Sequence, residues 1–138
     1  MPTSSPHPAS WRVALPHTSA AVPMARALIR RALAQTWPAA DGDTAELLTA
    51  ELVANAVKHT QRGSPIELVV SLHPTTCQVE VHDGDPALPG HLTRWTAEPD
   101  LWQEHGRGLL LIRTLSADCG HRPTPHGKAI WFTLPHGS

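Results

Sequence analysis

Residues 66 to 83 constrain the fold of this chain more than any other stretch. Ile66-Glu67-Leu68-Val69-Val70-Ser71-Leu72 carries apolar residues at alternating positions, Pro74-Thr75-Thr76 turns, and Cys77-Gln78-Val79-Glu80-Val81-His82-Asp83 alternates again. That pattern predicts an antiparallel hairpin with one apolar face. A lone hairpin is marginal in water, so further strands and a covering layer must bury that face. The rest of the chain has to supply both.

The helical layer is legible upstream. Trp11-Arg12-Val13-Ala14-Leu15 reads as a short strand ended by Pro16, and Thr18 or Ser19 can cap the helix that follows. Its apolar stripe runs Ala21, Ala25, Leu28 and Ala32, with Ile29, Leu33 and Trp37 alongside. Arg26, Arg30 and Arg31 lie off the stripe and are expected in solvent. Pro38 to Gly42 reads as a break. Asp43 then caps a second helix, with Glu46 three residues on in a capping-box pattern, running to about Thr60 before Gln61-Arg62-Gly63-Ser64-Pro65. Gly84 to His105 has no period and reads as a lid, spanning about 87–105. A short helix from Leu109 to Leu115 and two strands, around Ala117–Pro123 and Ala129–Leu134, complete the chain. The class is α+β: a two-layer sandwich with a mixed, mostly antiparallel sheet covered on one face by about three helices.

Composition narrows the function. The 138 residues suffice for one domain, expected over 11–135 after a disordered tail at 1–10. Eleven basic residues against twelve acidic ones argue against electrostatic capture of nucleic acid or anionic membrane. No apolar run approaches the roughly 18 residues of a membrane span, and the N-terminus lacks the features of a signal peptide, so a cytoplasmic protein is expected. Cys77 and Cys119 are too few for a disulfide scaffold; one bridge or two small thiols are equally economical. The ten histidines are scattered without zinc-ligand spacing, and His17, His73, His82, His91, His121 and His126 read as surface or turn residues.

Three motifs carry chemistry. Glu51, Asn55 and His59 recur every four residues, which sets them in one polar stripe on the second helix. An Asn carbonyl is a hard oxygen ligand suited to Mg²⁺, and a carboxylate one turn earlier can act as general base. Asp83, at a strand end before Gly84, can accept the amino hydrogens of an adenine. Gly106-Arg107-Gly108-Leu109 opens a helix with bare backbone N–H groups and an Arg, a phosphate-type turn. Singly these have ordinary readings: a solvated helix face, an Asp-Gly turn, a helix start. Their joint order is much less ordinary.

In that order they resemble the ATP-binding module of the GHKL superfamily, the Bergerat fold. Glu51-x-x-x-Asn55-x-x-x-His59 resembles its N box, Asp83 through Pro89 its first glycine box, and Gly106–Leu109 its second. The nearest branch is the anti-sigma-factor serine/threonine kinases (RsbW-like), which share the phrase Glu51-Leu52-Val53-x-Asn55-Ala56-Val57-x-His59 and the ending Gly127-Lys128-x-x-Trp131-Phe132. The first box departs from the usual one: Asp85 and Ala87 stand at glycine positions, and Asp85 is expected to face solvent. The resemblance implies ATP and Mg²⁺ as cofactors, Asn55 as the residue that holds the metal on the phosphates, and Glu51 as general base toward a serine hydroxyl. Lys58, His59, Gly84 and Pro89 join the nucleotide contacts, beneath a lid that carries Trp95 and Trp102. It also implies partners: a sigma factor, or an antagonist with a STAS domain, and a homodimer as is common in such kinases. The alternative is a catalytically inactive module that binds ATP or sequesters its partner.

Overall fold

The computed structural model describes residues 9–34, 39–60, 63–85, 112 and 115–135. Five strands form one sheet: β1 (Ala9–Leu15), β2 (Ile66–Leu72), β3 (Thr76–Asp83), β4 (Asp118–Thr124) and β5 (Gly127–Pro135), in the order β1-β2-β3-β5-β4. Every pairing is antiparallel, so the mixed sheet expected from sequence is wholly antiparallel among the described residues. Helices α1 (Ala21–Leu33) and α2 (Ala39–His59) cover one face. Of the expected third helix, only Ile112 and Leu115 are among the described residues. Both are helical, and Ile112 is fully buried.

The sheet's inner face follows from the period of two. β3 alternates strictly, with Cys77, Val79, Val81 and Asp83 buried. β2 contributes Ile66, Leu68, Val70 and Leu72, and β5 contributes Lys128, Ile130, Phe132 and Leu134 in the same phase. Against these rows pack Ala21, Ala25, Ile29 and Leu33 of α1 and Ala45, Leu48, Leu52, Val53 and Ala56 of α2. The outer face mixes apolar Val69, Ala129 and Trp131 with a polar cluster in which Glu80 accepts from His82 Nε2 at 2.9 Å and from Arg122 Nη2 at 3.1 Å. β4, an edge strand, tolerates Pro123 because its outer side has no ladder to complete.

Several expectations need correction. β1 begins at Ala9, two residues inside the expected tail, because β2 extends to Leu72 and offers partners to Ala9 and Ser10. Neither Thr18 nor Ser19 caps α1; the N-cap is Ala20, and the Thr18 hydroxyl accepts from Ala20 N–H at 3.2 Å, ahead of the helix. α2 starts at Ala39, so Gly42 and Asp43 lie within the helix rather than before it. Glu46 closes no capping box: its carboxylate accepts a fork from Arg30, Nη2 at 2.9 Å and Nε at 3.1 Å, with Arg26 at 3.6 Å. Arg30 and Arg26 are thus exposed but paired, tying α1 to α2. Trp37, Trp95, Trp102, His91 and the lid lie outside the described residues. Neither cysteine is in a disulfide; Cys77 is buried, which pushes its thiol up to about 12. No described helix is long and apolar enough to cross a membrane.

Candidate functional site

One end of the sheet brings together the residues with unusual chemistry. Ile66, Asp83 and Lys128 are register neighbours on β2, β3 and β5. The inward row that elsewhere carries only apolar side chains ends here in a carboxylate and an ammonium. Asp83 is 5% exposed and Lys128 3% exposed. Lys128 Nζ donates to Asp83 Oδ1 at 3.0 Å and to the Asp85 carbonyl at 2.8 Å. Asp85 N–H donates to the same Oδ1 at 2.9 Å, an Asx-type turn that bends the chain out of the strand. Asp83 Oδ2 is buried and has no hydrogen-bond partner among the described residues. A buried carboxylate oxygen left open is unfavourable unless something donates to it.

The backbone around this pair is packed closely. A Cβ on Gly127 would lie 2.0 Å from the Asp83 carbonyl oxygen, so only glycine lets β5 begin beside the end of β3. A Cβ on Gly84 would meet Pro65 Cδ at 3.3 Å. His17 fastens the neighbouring segment: its ring nitrogens lie 3.0 Å from the Val57 carbonyl and 3.1 Å from the Ser64 carbonyl. It is half-buried and bridging, at the bend between β1 and α1. The C-terminal turn of α2 and the lead into β2 are thereby held at the Asp83 end of the sheet.

The α2 stripe is divided by burial. Asn55 is 8% exposed, an uncommon setting for a helical Asn, while Lys58 is exposed and His59 half-buried. Glu51 is half-buried and lines a groove of about 400 Å³ with Arg26, Asp43, Glu46, Leu47 and Ala50. The helix packs across β3 and β5, the strands that carry Asp83 and Lys128. Asp85 is half-buried, and its backbone serves the pair on both sides. Pro89, Gly106, Arg107, Gly108 and Leu109 lie outside the described residues.

The sequence profile of the histidine kinase-like ATPase domain matches residues 15–134. The chain belongs to that family. No curated protein matches the chain. A histidine kinase-like ATPase domain implies ATP as ligand, and the sheet end fits the base of that ligand. Asp83 Oδ2 is an orphaned, buried acceptor, and an adenine amino group is a donor. Among the described residues no cluster of His, Cys, Asp or Glu could hold a metal ion by itself. Asn55 carries a neutral carbonyl oxygen, the type of donor that Mg²⁺ accepts.

Sequence reasoning missed three contributors. Lys128 entered only as part of a shared ending, although its phase with Ile130, Phe132 and Leu134 puts an ammonium on an inward row. That phase was a readable signal. Gly127 likewise stands only in the shared ending, and its close approach to Asp83 depends on strand pairing that no local pattern reveals. His17 carried no signal beyond its place in a Pro-His-Thr-Ser linker.

Proposed function

We propose that this ATPase domain is an Mg-ATP-dependent protein serine/threonine kinase of the anti-sigma-factor type, acting by partner switching. It would phosphorylate a STAS-domain antagonist or hold a sigma factor. The observation that carries the reading is the pairing on α2 of a buried Asn55 with a more open Glu51 one turn earlier. A residue that holds Mg²⁺ on phosphates belongs inside; a base that must reach a hydroxyl on another protein belongs at an opening.

The division of labour follows. Asp83 accepts from the adenine amino group, and Asn55 offers its carbonyl to Mg²⁺. The Gly106-Arg107-Gly108-Leu109 motif would supply donors to phosphate. Bound Mg-ATP supplies the transferable phosphoryl group. Glu51 orients the acceptor hydroxyl and takes its proton, since phosphoryl transfer needs chiefly alignment and charge neutralisation. Lys58 and His59 extend the same helix toward the nucleotide.

A second reading, a partner-sequestering module without phosphotransfer, is favoured by the exposed apolar Met24 and Leu47 on the helical layer. One experiment separates the two. The chain is incubated with labelled ATP, Mg²⁺ and lysate of its source, and phosphoproteins are identified, for native and Glu51→Ala. Phosphoserine or phosphothreonine from the native chain and none from Glu51→Ala, with ATP binding intact in both, is the expected result. Equal labelling by both removes Glu51 as base; ATP binding without labelling by either favours sequestration.

A further inference from the structure

Lys128 is nearly as buried as any side chain in the core. A lysine is seldom fully buried unless paired, and a buried ion pair adds little stability over a well-packed apolar pair of the same volume. Core stability therefore does not account for it. Its ammonium has three N–H donors, and two are committed, to Asp83 Oδ1 and the Asp85 carbonyl. The carboxylate it holds has one committed oxygen and one that is buried without a hydrogen-bond partner. Pinning Oδ1 from two sides, by Lys128 Nζ and Asp85 N–H, fixes which oxygen remains for a ligand.

We propose that Lys128 is a base-specificity residue of the nucleotide site, presenting its third N–H beside the unpartnered Asp83 Oδ2 so that the two read a donor–acceptor edge. The inference rests on the ATP reading. Adenine offers that edge, the amino N6–H as donor and ring N1 as acceptor. Guanine offers the reverse, O6 as acceptor and N1–H as donor, and would set acceptor against Oδ2 and donor against the ammonium. Buried polar groups left facing their own kind are a strong basis for rejection. Lys128 thus does more than neutralise Asp83: it gives the site the second half of its hydrogen-bonding code.

The test measures equilibrium binding of Mg-ATP, Mg-GTP and Mg-1-deaza-ATP, in which a C–H replaces N1, to the full chain and to Lys128→Met. The native chain is expected to bind 1-deaza-ATP about tenfold or more weakly than ATP, as for loss of one hydrogen bond from a charged donor, and GTP more weakly still. Lys128→Met is expected to bind ATP and 1-deaza-ATP within about twofold of each other. Equal binding of the two by the native chain, or a tenfold gap that survives Lys128→Met, overturns the proposal while leaving ATP binding intact. A native chain that binds no ATP overturns the nucleotide reading itself. Should Lys128→Met fail to fold, the native comparison of ATP with 1-deaza-ATP decides alone.

Discussion

Among the described residues two buried carboxylates meet cations, and they differ in what is left over. Glu46, between the helices, has both oxygens taken by the Arg30 fork, with Arg26 close by. Asp83, at the sheet end, has Oδ1 engaged twice and Oδ2 not at all. A satisfied carboxylate joins two elements and stops there. A half-satisfied one, in a pocket of chain built too tightly for any residue but Gly127, still awaits a donor. The Glu46 contact ties α1 to α2, and the Asp83 contact leaves one buried acceptor without a partner.

The largest expected effect strikes the sheet end. Gly127→Ala places a Cβ inside van der Waals contact of the Asp83 carbonyl, so β5 and β3 must separate. Loss of cooperative unfolding, or a Tm lower by about 10 °C or more, is expected in a calorimetric scan. A variant as stable as the native chain would show that the two strands do not meet as closely as described.

Glu46→Gln comes next and divides the two carboxylates most cleanly. It loses the charge that the Arg30 fork holds, so Tm should fall by about 3–6 °C, yet Mg-ATP affinity should stay within about twofold of native. A large loss of affinity would join the helix-layer pair to the site and erase the distinction.

Acid supplies a graded version. The Arg30 hydrogen bond is the leading cause that lowers the Glu46 carboxyl below its ordinary value of 4.5, against the opposing effect of burial. A carboxyl lowered in the folded state contributes stability that is fully present above its unfolded value. That contribution is lost as pH falls through the folded one. The stability gap between native and Glu46→Gln should therefore hold from neutral pH down to about 4.5 and close below it. A gap that widens on acidification would reverse the sign.

The smallest effect tests the far end of the Asp83 row. Cys77 is buried with its thiol pushed up to about 12, whereas Cys119 is half-buried on the edge strand. At pH 8 a thiol reagent should label Cys119 and leave Cys77 intact until the chain is denatured. Rapid labelling of both would show that the inward row is not closed.

The same contrast explains what could be read from sequence. β2 was legible to the residue, Ile66–Leu72, because alternation on a half-buried strand is a local code. The stripe on α1 is legible from its 3.6-residue period, with Ala21, Ala25, Ile29, Ala32 and Leu33 buried and Leu28 half-buried. The start of α2 was not. Asp43 and Glu46 have the spacing of a capping box, and nothing local says that Glu46 will instead find Arg30 across the helix pair. Gly42 looks like a breaker, although a single interior glycine costs a helix only about 1 kcal/mol and tertiary packing overrides it. Glu51, Asn55 and Asp83 were singled out by type and spacing. Their different burial, and the ammonium beside Asp83, depend on register between strands forty-five residues apart.

The central claim is that the half-satisfied carboxylate at the sheet end receives the base of ATP. Calorimetric titration of Mg-ATP into the native chain and into Asp83→Asn, each first shown to be folded by circular dichroism, tests it most directly. Saturable one-to-one binding by the native chain, weakened at least about tenfold in Asp83→Asn, is the expected result. No binding by the native chain, or equal binding by both, would contradict it.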